Sequence, residues 1–169
     1  EAVVGYYGMA NMVISALALL SQALRLGIFP AMARTYRADH RQYMDLYKRT
    51  WYYLSLAGFP VVILLILLAR HIITILYQQP SPDAIATLQW LAPTLLFYFL
   101  NIPNSRLMIL DGRQKTLAQL LAISTAIHVL AGALLIPEYG APAVGIARTG
   151  SMCLFFCLNY IYVNKHILP

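Results

Sequence analysis

Charge is scarce in this chain. Only 11% of its 169 residues are charged and six are acidic, where a soluble domain carries closer to 25% charge. None of the acidic residues falls inside the long apolar stretches. A drug–cation antiporter would need membrane carboxylates for proton or sodium coupling, so that lack argues against one. The sequence also has no phosphate-cradling glycine loop and no serine–histidine–aspartate set. Gly112-Arg113-Gln114-Lys115 lacks the spacing of the former. Nothing here suggests ATP hydrolysis, and the chain is not read as an enzyme. His40, His71, His128 and His166 are dispersed, so no metal site and no cofactor is expected. Only two cysteines occur, Cys153 and Cys157, four apart in an apolar run. They read as small packing residues rather than a metal or redox pair. No internal repeat or low-complexity tract is present.

What the chain has is hydrophobicity, at 60% of its residues. Five apolar stretches predict spans at roughly residues 8–33, 51–77, 84–107, 116–137 and 141–163. Each approaches the roughly 20 residues that cross about 30 Å of hydrocarbon. Backbone groups in lipid need internal partners, so only helices or a closed barrel qualify. Barrel strands would alternate polar and apolar residues, and these runs do not. The fold class is therefore all-α: a polytopic transmembrane helix bundle of five spanning helices. The chain opens on Glu1 and enters apolar sequence with no charged segment before it, unlike a signal peptide. The expectation is a piece of a longer membrane protein.

Basic residues set the expected orientation. Arg34, Arg37, Arg41, Lys48 and Arg49 follow the first span. Arg106, Arg113 and Lys115 surround the next loop on that side, and Lys165 follows the fifth span. The opposite loops, 78–83 and 138–140, hold no Lys or Arg. Basic loops stay in the cytoplasm, which places residues 34–50, 108–115 and 164–169 there. The charges do not cluster apart from the spans, so nucleic-acid binding is not expected. Thr35 to Thr50 is the one long polar stretch, with Tyr36, His40, Tyr43 and Tyr47 at helical spacing. It reads as a short amphipathic helix in the cytoplasmic interface, its tyrosines at headgroup depth, or as an ordinary helix connection with a solvated face.

Within the spans, polar residues form stripes. Asn11, Ser15, Ala18, Gln22 and Arg25 stack on one face of the first. Thr87, Thr94, Tyr98, Asn101 and Ser105 do so in the third. Ser124 and His128 lie one turn apart in the fourth, and Arg148, Asn159 and Tyr162 share a face of the fifth. Such faces cannot point at lipid without cost, so they turn inward. Singly they serve as interhelical glue; continuous stripes on several helices suit a water-accessible cavity. His128 fits either a packing role or a group titrating near neutral pH. Arg25 lies roughly 12 Å deep and Arg148 roughly 10 Å deep from their nearer span ends. Either could snorkel. With no intramembrane carboxylate to neutralise them, they predict an anionic ligand or a carboxylate elsewhere, and the guanidinium fork matches phosphate. Pro60, Pro93 and Pro103 fall within spans, where proline bends helices.

The order of these features resembles the C-terminal half of the polysaccharide-biosynthesis (O-antigen-type) flippases of the multidrug/oligosaccharidyl-lipid/polysaccharide exporter superfamily. Val4-Gly5-Tyr6-Tyr7, Ile28-Phe29-Pro30 with Ala33-Arg34, and Phe59-Pro60 carry the resemblance. So do Leu110-Asp111-Gly112-Arg113-Gln114-Lys115 and Leu135-Ile136-Pro137-Glu138-Tyr139-Gly140-Ala141. Arg148, after Ala143-Val144-Gly145-Ile146-Ala147, departs from the family pattern. The resemblance implies a partial C-terminal lobe that works with an N-terminal lobe of the same protein around a cationic cavity. It implies alternating access in a bacterial cytoplasmic membrane and an undecaprenyl-pyrophosphate-linked oligosaccharide as substrate. On that reading Arg25 and Arg148 hold pyrophosphate or acidic sugars, and Gln22, Asn11, Asn101, His128 and Asn159 complete the binding set. The alternatives are a lipid II flippase or drug–cation antiporter of the same superfamily, a membrane-embedded glycan enzyme, and a structural membrane subunit.

Overall fold

Five helices make up the computed structural model, which describes residues 2–78 and 81–168. They are α1 (Ala2–Ala38), α2 (His40–Tyr77), α3 (Pro82–Leu110), α4 (Gln114–Tyr139) and α5 (Ala141–His166). Glu1, Gln79 and Pro80 of the second loop, Pro169, and the side chains of Ala2, Val3 and His40 lie outside the described residues. Each expected span falls within one helix, and each helix is long and apolar enough to cross a membrane. No strand occurs among the described residues. This is a multi-pass helical membrane protein. The helices run through Pro30, Pro60, Pro93 and Pro103 without interruption, as membrane helices tolerate.

The turns follow from a few residues. Asp39 adopts an extended backbone (φ −155°, ψ 116°) and its carboxylate accepts from the Arg41 N–H at 2.8 Å, capping α2. Gly140 alone separates α4 from α5, at φ 64° and ψ −140°, a conformation that a side chain would disfavour. Pro142 then sits in the first turn of α5, where its missing N–H costs nothing.

The polar stretch 35–50 is helical but does not form a helix of its own. Asp39 divides it between the end of α1 and the start of α2. With 37 and 38 residues, those helices are roughly 55 Å long, so their joined ends project beyond a hydrocarbon layer of about 30 Å. The tyrosines differ from expectation as well. Tyr43 is fully buried and Tyr47 nearly so, packed with Met32, Leu107, Met108 and Val163 instead of facing headgroups. Tyr47 finds a partner there, its hydroxyl donating to Asn104 Oδ1 at 2.6 Å, whereas Tyr43 is held by ring packing alone, its hydroxyl unpartnered among the described residues.

Helix α3 is the axis of the bundle, with α1, α2 and α5 packed around it, while α4 leans on α5. The tightest crossing is between α3 and α5. A Cβ added at Gly145 would stand 3.1 Å from the Thr87 carbonyl oxygen and 3.3 Å from the Leu91 nitrogen. Ala141, Ala143 and Ala147 extend this small-residue face, which is how membrane helices approach closely. Outward-facing Leu67, Ile75 and Leu134 are 70%, 77% and 75% exposed, an arrangement suited to lipid contact.

Candidate functional site: a cationic cavity

A cavity of about 750 Å³ lies among α1, α3, α4 and α5. Parts of the polar stripes anticipated for α1 and α3 line it, with Arg148 from that of α5. Helix α1 contributes Ser15, Ser21, Gln22 and Arg25; α3 contributes Tyr98, Asn101, Ser105 and Arg106; α5 contributes Arg148. Leu117 and Leu121 of α4 and Met152 and Phe155 of α5 supply apolar wall. Three guanidinium groups therefore face one space, and no carboxylate lines it among the described residues.

The arginines are held differently. Arg25 is exposed to the cavity. Arg106 lies with its guanidinium 4.7 Å above the ring of Phe29, a cation–π placement. Its Nε–H is buried and finds no partner among the described residues. An unpartnered buried donor on a cation is costly, and an anion would satisfy it. Arg148 is hydrogen-bonded to three neutral oxygens: Nη1 donates to Tyr7 Oη at 2.7 Å and Asn11 Oδ1 at 2.8 Å, and Nη2 donates to Tyr98 Oη at 3.0 Å.

Of the residues anticipated from sequence, Arg25, Arg148, Gln22 and Asn101 line the cavity. Asn11 stands behind Arg148 and holds it. Asn159 is fully buried behind the wall, donating to Asn101 Oδ1 at 3.3 Å and Ser105 Oγ at 3.2 Å. His128 lies outside the lining, two turns along α4 from Leu121. Sequence position groups Arg106 with the loop charges, because it falls at the end of a span. Its place next to Ser105, the last member of the α3 stripe, is the signal in the sequence that it belongs to the cavity.

At the basic end, the α3–α4 turn is fastened by charge. Arg113 Nε donates to Asp111 Oδ2 at 2.5 Å, and Arg113 Nη1 donates to Tyr162 Oη at 2.8 Å. The Asp111 bond, more than the Tyr162 bond, raises the Arg113 pKa above its ordinary value. Asp111 is thereby bound to Arg113 and Tyr36 and is not a free anion.

The fold and cavity define a helical membrane bundle whose cavity bears three arginines and, among the described residues, no carboxylate. The chain belongs to the lipid II flippase MurJ family, whose model matches residues 2–168. The match supports the lipid-linked flippase character inferred from the resemblance. It names the lipid II branch, given above as an alternative, and lends nothing to O-antigen specificity. No curated protein and no solved structure gives a significant match.

Proposed function

We propose that this chain forms one wall of a flippase that carries lipid II, a pyrophosphate-linked lipid glycan, across the cytoplasmic membrane of a bacterium. The observation that supports this most is the placing of Arg25, Arg106 and Arg148 around one cavity without a counter-ion, in a chain of the MurJ family. Guanidinium forks match phosphate oxygens in geometry and charge. The Arg106 Nε–H supplies a donor already desolvated and unpaired, so little is lost when a phosphate approaches. Gln22, Asn101 and Ser105 line the same cavity, and neutral polar groups of this kind suit sugar hydroxyls. A volume of about 750 Å³ falls in the range that encloses a small polar headgroup.

The loops rich in Arg and Lys face the cytoplasm on this reading. Arg25 and Arg106 then lie in the cytoplasmic half of the cavity, and Arg148 in the outer half. The open side of the cavity is closed by a second lobe of the same protein, and alternating access moves the headgroup between the two faces. Translocation makes and breaks no covalent bond, so no acid–base pair is required of the wall.

The test is to replace the native protein in cells with full-length Arg25→Ala or Arg106→Ala and to measure lipid-linked precursors on the cytoplasmic face. Accumulation of the pyrophosphate-linked cell-wall precursor, with normal protein level and insertion, is expected. Accumulation of an O-antigen-type intermediate instead would transfer the reading to the sister family. Unchanged export with both variants would remove the arginines from translocation.

A further inference from the structure

Arg148 stands apart from the other two arginines of the cavity. Its three hydrogen bonds reach Tyr7 and Asn11 on α1 and Tyr98 on α3. Among the described residues, those to Tyr7 and Asn11 are the only side-chain hydrogen bonds that join α5 to α1. All three acceptors are neutral. These bonds are already charge-assisted through the guanidinium; a phosphate oxygen is itself ionised and adds Coulombic attraction between opposite charges. The same guanidinium lines the cavity.

We propose that Arg148 is a ligand-released latch. Without an anion in the cavity it ties α1 to α3 and α5 at the end remote from the basic loops. A pyrophosphate group that reaches it draws the guanidinium off its neutral acceptors and frees α1. This rests on the anion-binding reading of the cavity given above. A guanidinium carries five N–H donors, and Nε and one hydrogen of Nη2 remain uncommitted, so an anion has donors to meet before any latch bond breaks. Tyr98 itself lines the cavity. The location fits a latch, since Arg25 and Arg106 receive the anion at one end of the cavity and Arg148 lies at the other.

The latch makes a prediction of sign. Untying it opposes binding, because only the untied state offers the guanidinium in full. Removing one latch bond therefore tightens binding. Tyr7 is not among the residues that line the cavity, so Tyr7→Phe alters the latch alone. The expected result is inorganic pyrophosphate binding about tenfold to a hundredfold tighter than wild type, the worth of one hydrogen bond to a charged group. A brace or a direct ligand would give weaker or unchanged binding.

The experiment titrates inorganic pyrophosphate into the full-length protein in lipid nanodiscs, wild type and Tyr7→Phe. In parallel, spin labels at Val4→Cys and Leu134→Cys, both exposed, report the spacing of α1 from the α4–α5 pair. Cys153→Ala and Cys157→Ala provide the background. Tighter binding by Tyr7→Phe and a longer label distance on adding pyrophosphate to wild type are expected. Unchanged or weaker binding by a folded Tyr7→Phe overturns the latch and leaves the anion cavity standing. Should Tyr7→Phe not fold, an unchanged wild-type distance at saturating pyrophosphate overturns it equally. Absence of pyrophosphate binding to wild type overturns the cavity reading and the latch together.

Discussion

Thr149 Oγ1 donates a 2.6 Å hydrogen bond to the carbonyl oxygen of Trp90, across the closest approach of α5 to α3. That donation commits the single proton of the Thr149 hydroxyl. In the neighbouring 2.8 Å contact with Thr94 Oγ1, Thr94 is therefore the donor. The pair closes next to Pro93, which removes a backbone donor from α3. One residue of α5 thus binds α3 twice at the point where proline weakens it.

Thr149→Val keeps the shape and deletes both bonds. A loss of about 1 kcal/mol is expected, seen as a lower midpoint for unfolding in detergent, with Thr149→Ser near wild type. Gly145→Ala, four residues before, is expected to cost about 1–3 kcal/mol through overpacking, since its methyl meets the Thr87 carbonyl and the Leu91 nitrogen, which cannot move aside as a side chain would. A Gly145→Ala protein as stable as wild type would show that the two helices are not in this register.

Arg106→Lys retains the charge, yet a lysine lacks the planar fork and cannot reproduce the stacking over Phe29. Pyrophosphate binding is expected to weaken about tenfold with Lys and further with Ala, measured by calorimetry on the full-length protein. Equal affinity for wild type and Ala would remove Arg106 from the site.

Asn104 Oδ1 accepts from both the Tyr47 hydroxyl and the Trp51 indole N–H, at 2.6 and 3.1 Å. Asn104→Leu leaves two donors unpaired in a buried setting, for about 2 kcal/mol or more. Tyr47→Phe leaves Trp51 satisfied and is expected to cost about 1 kcal/mol. Thermal unfolding of the two variants separates them; equal losses would show that the Tyr47 bond carries the whole effect.

Asp111→Asn tests the basic-end turn. Arg113 and Asp111 are partly exposed, with side chains 38% and 26% accessible. Exposed ion pairs contribute about 0–1 kcal/mol, so stability is expected to fall by no more than that. A larger loss would mean that the Tyr36 bond to Asp111 holds α1 to the turn more firmly than its exposure implies.

Sequence alone determined the architecture because the membrane enforces it. Apolar stretches of spanning length admit helices and little else, and their periodic polar residues face inward because lipid gives them no partner. That logic placed Arg25, Gln22, Asn101 and Arg148 on a common inner surface. Tertiary structure decided what periodicity does not carry: which stripes meet and where each ends. It put Asn159 behind the wall, left His128 outside it, and drew Arg106 in from a supposed loop. It also turned Tyr43 and Tyr47 from the headgroups to the core. The physical reason is that a stripe states only that polar atoms need partners. The partners themselves, Tyr7 and Tyr98 for Arg148 and Asn104 for Tyr47, lie 50 to 141 residues away in the chain and are assigned only when the helices pack.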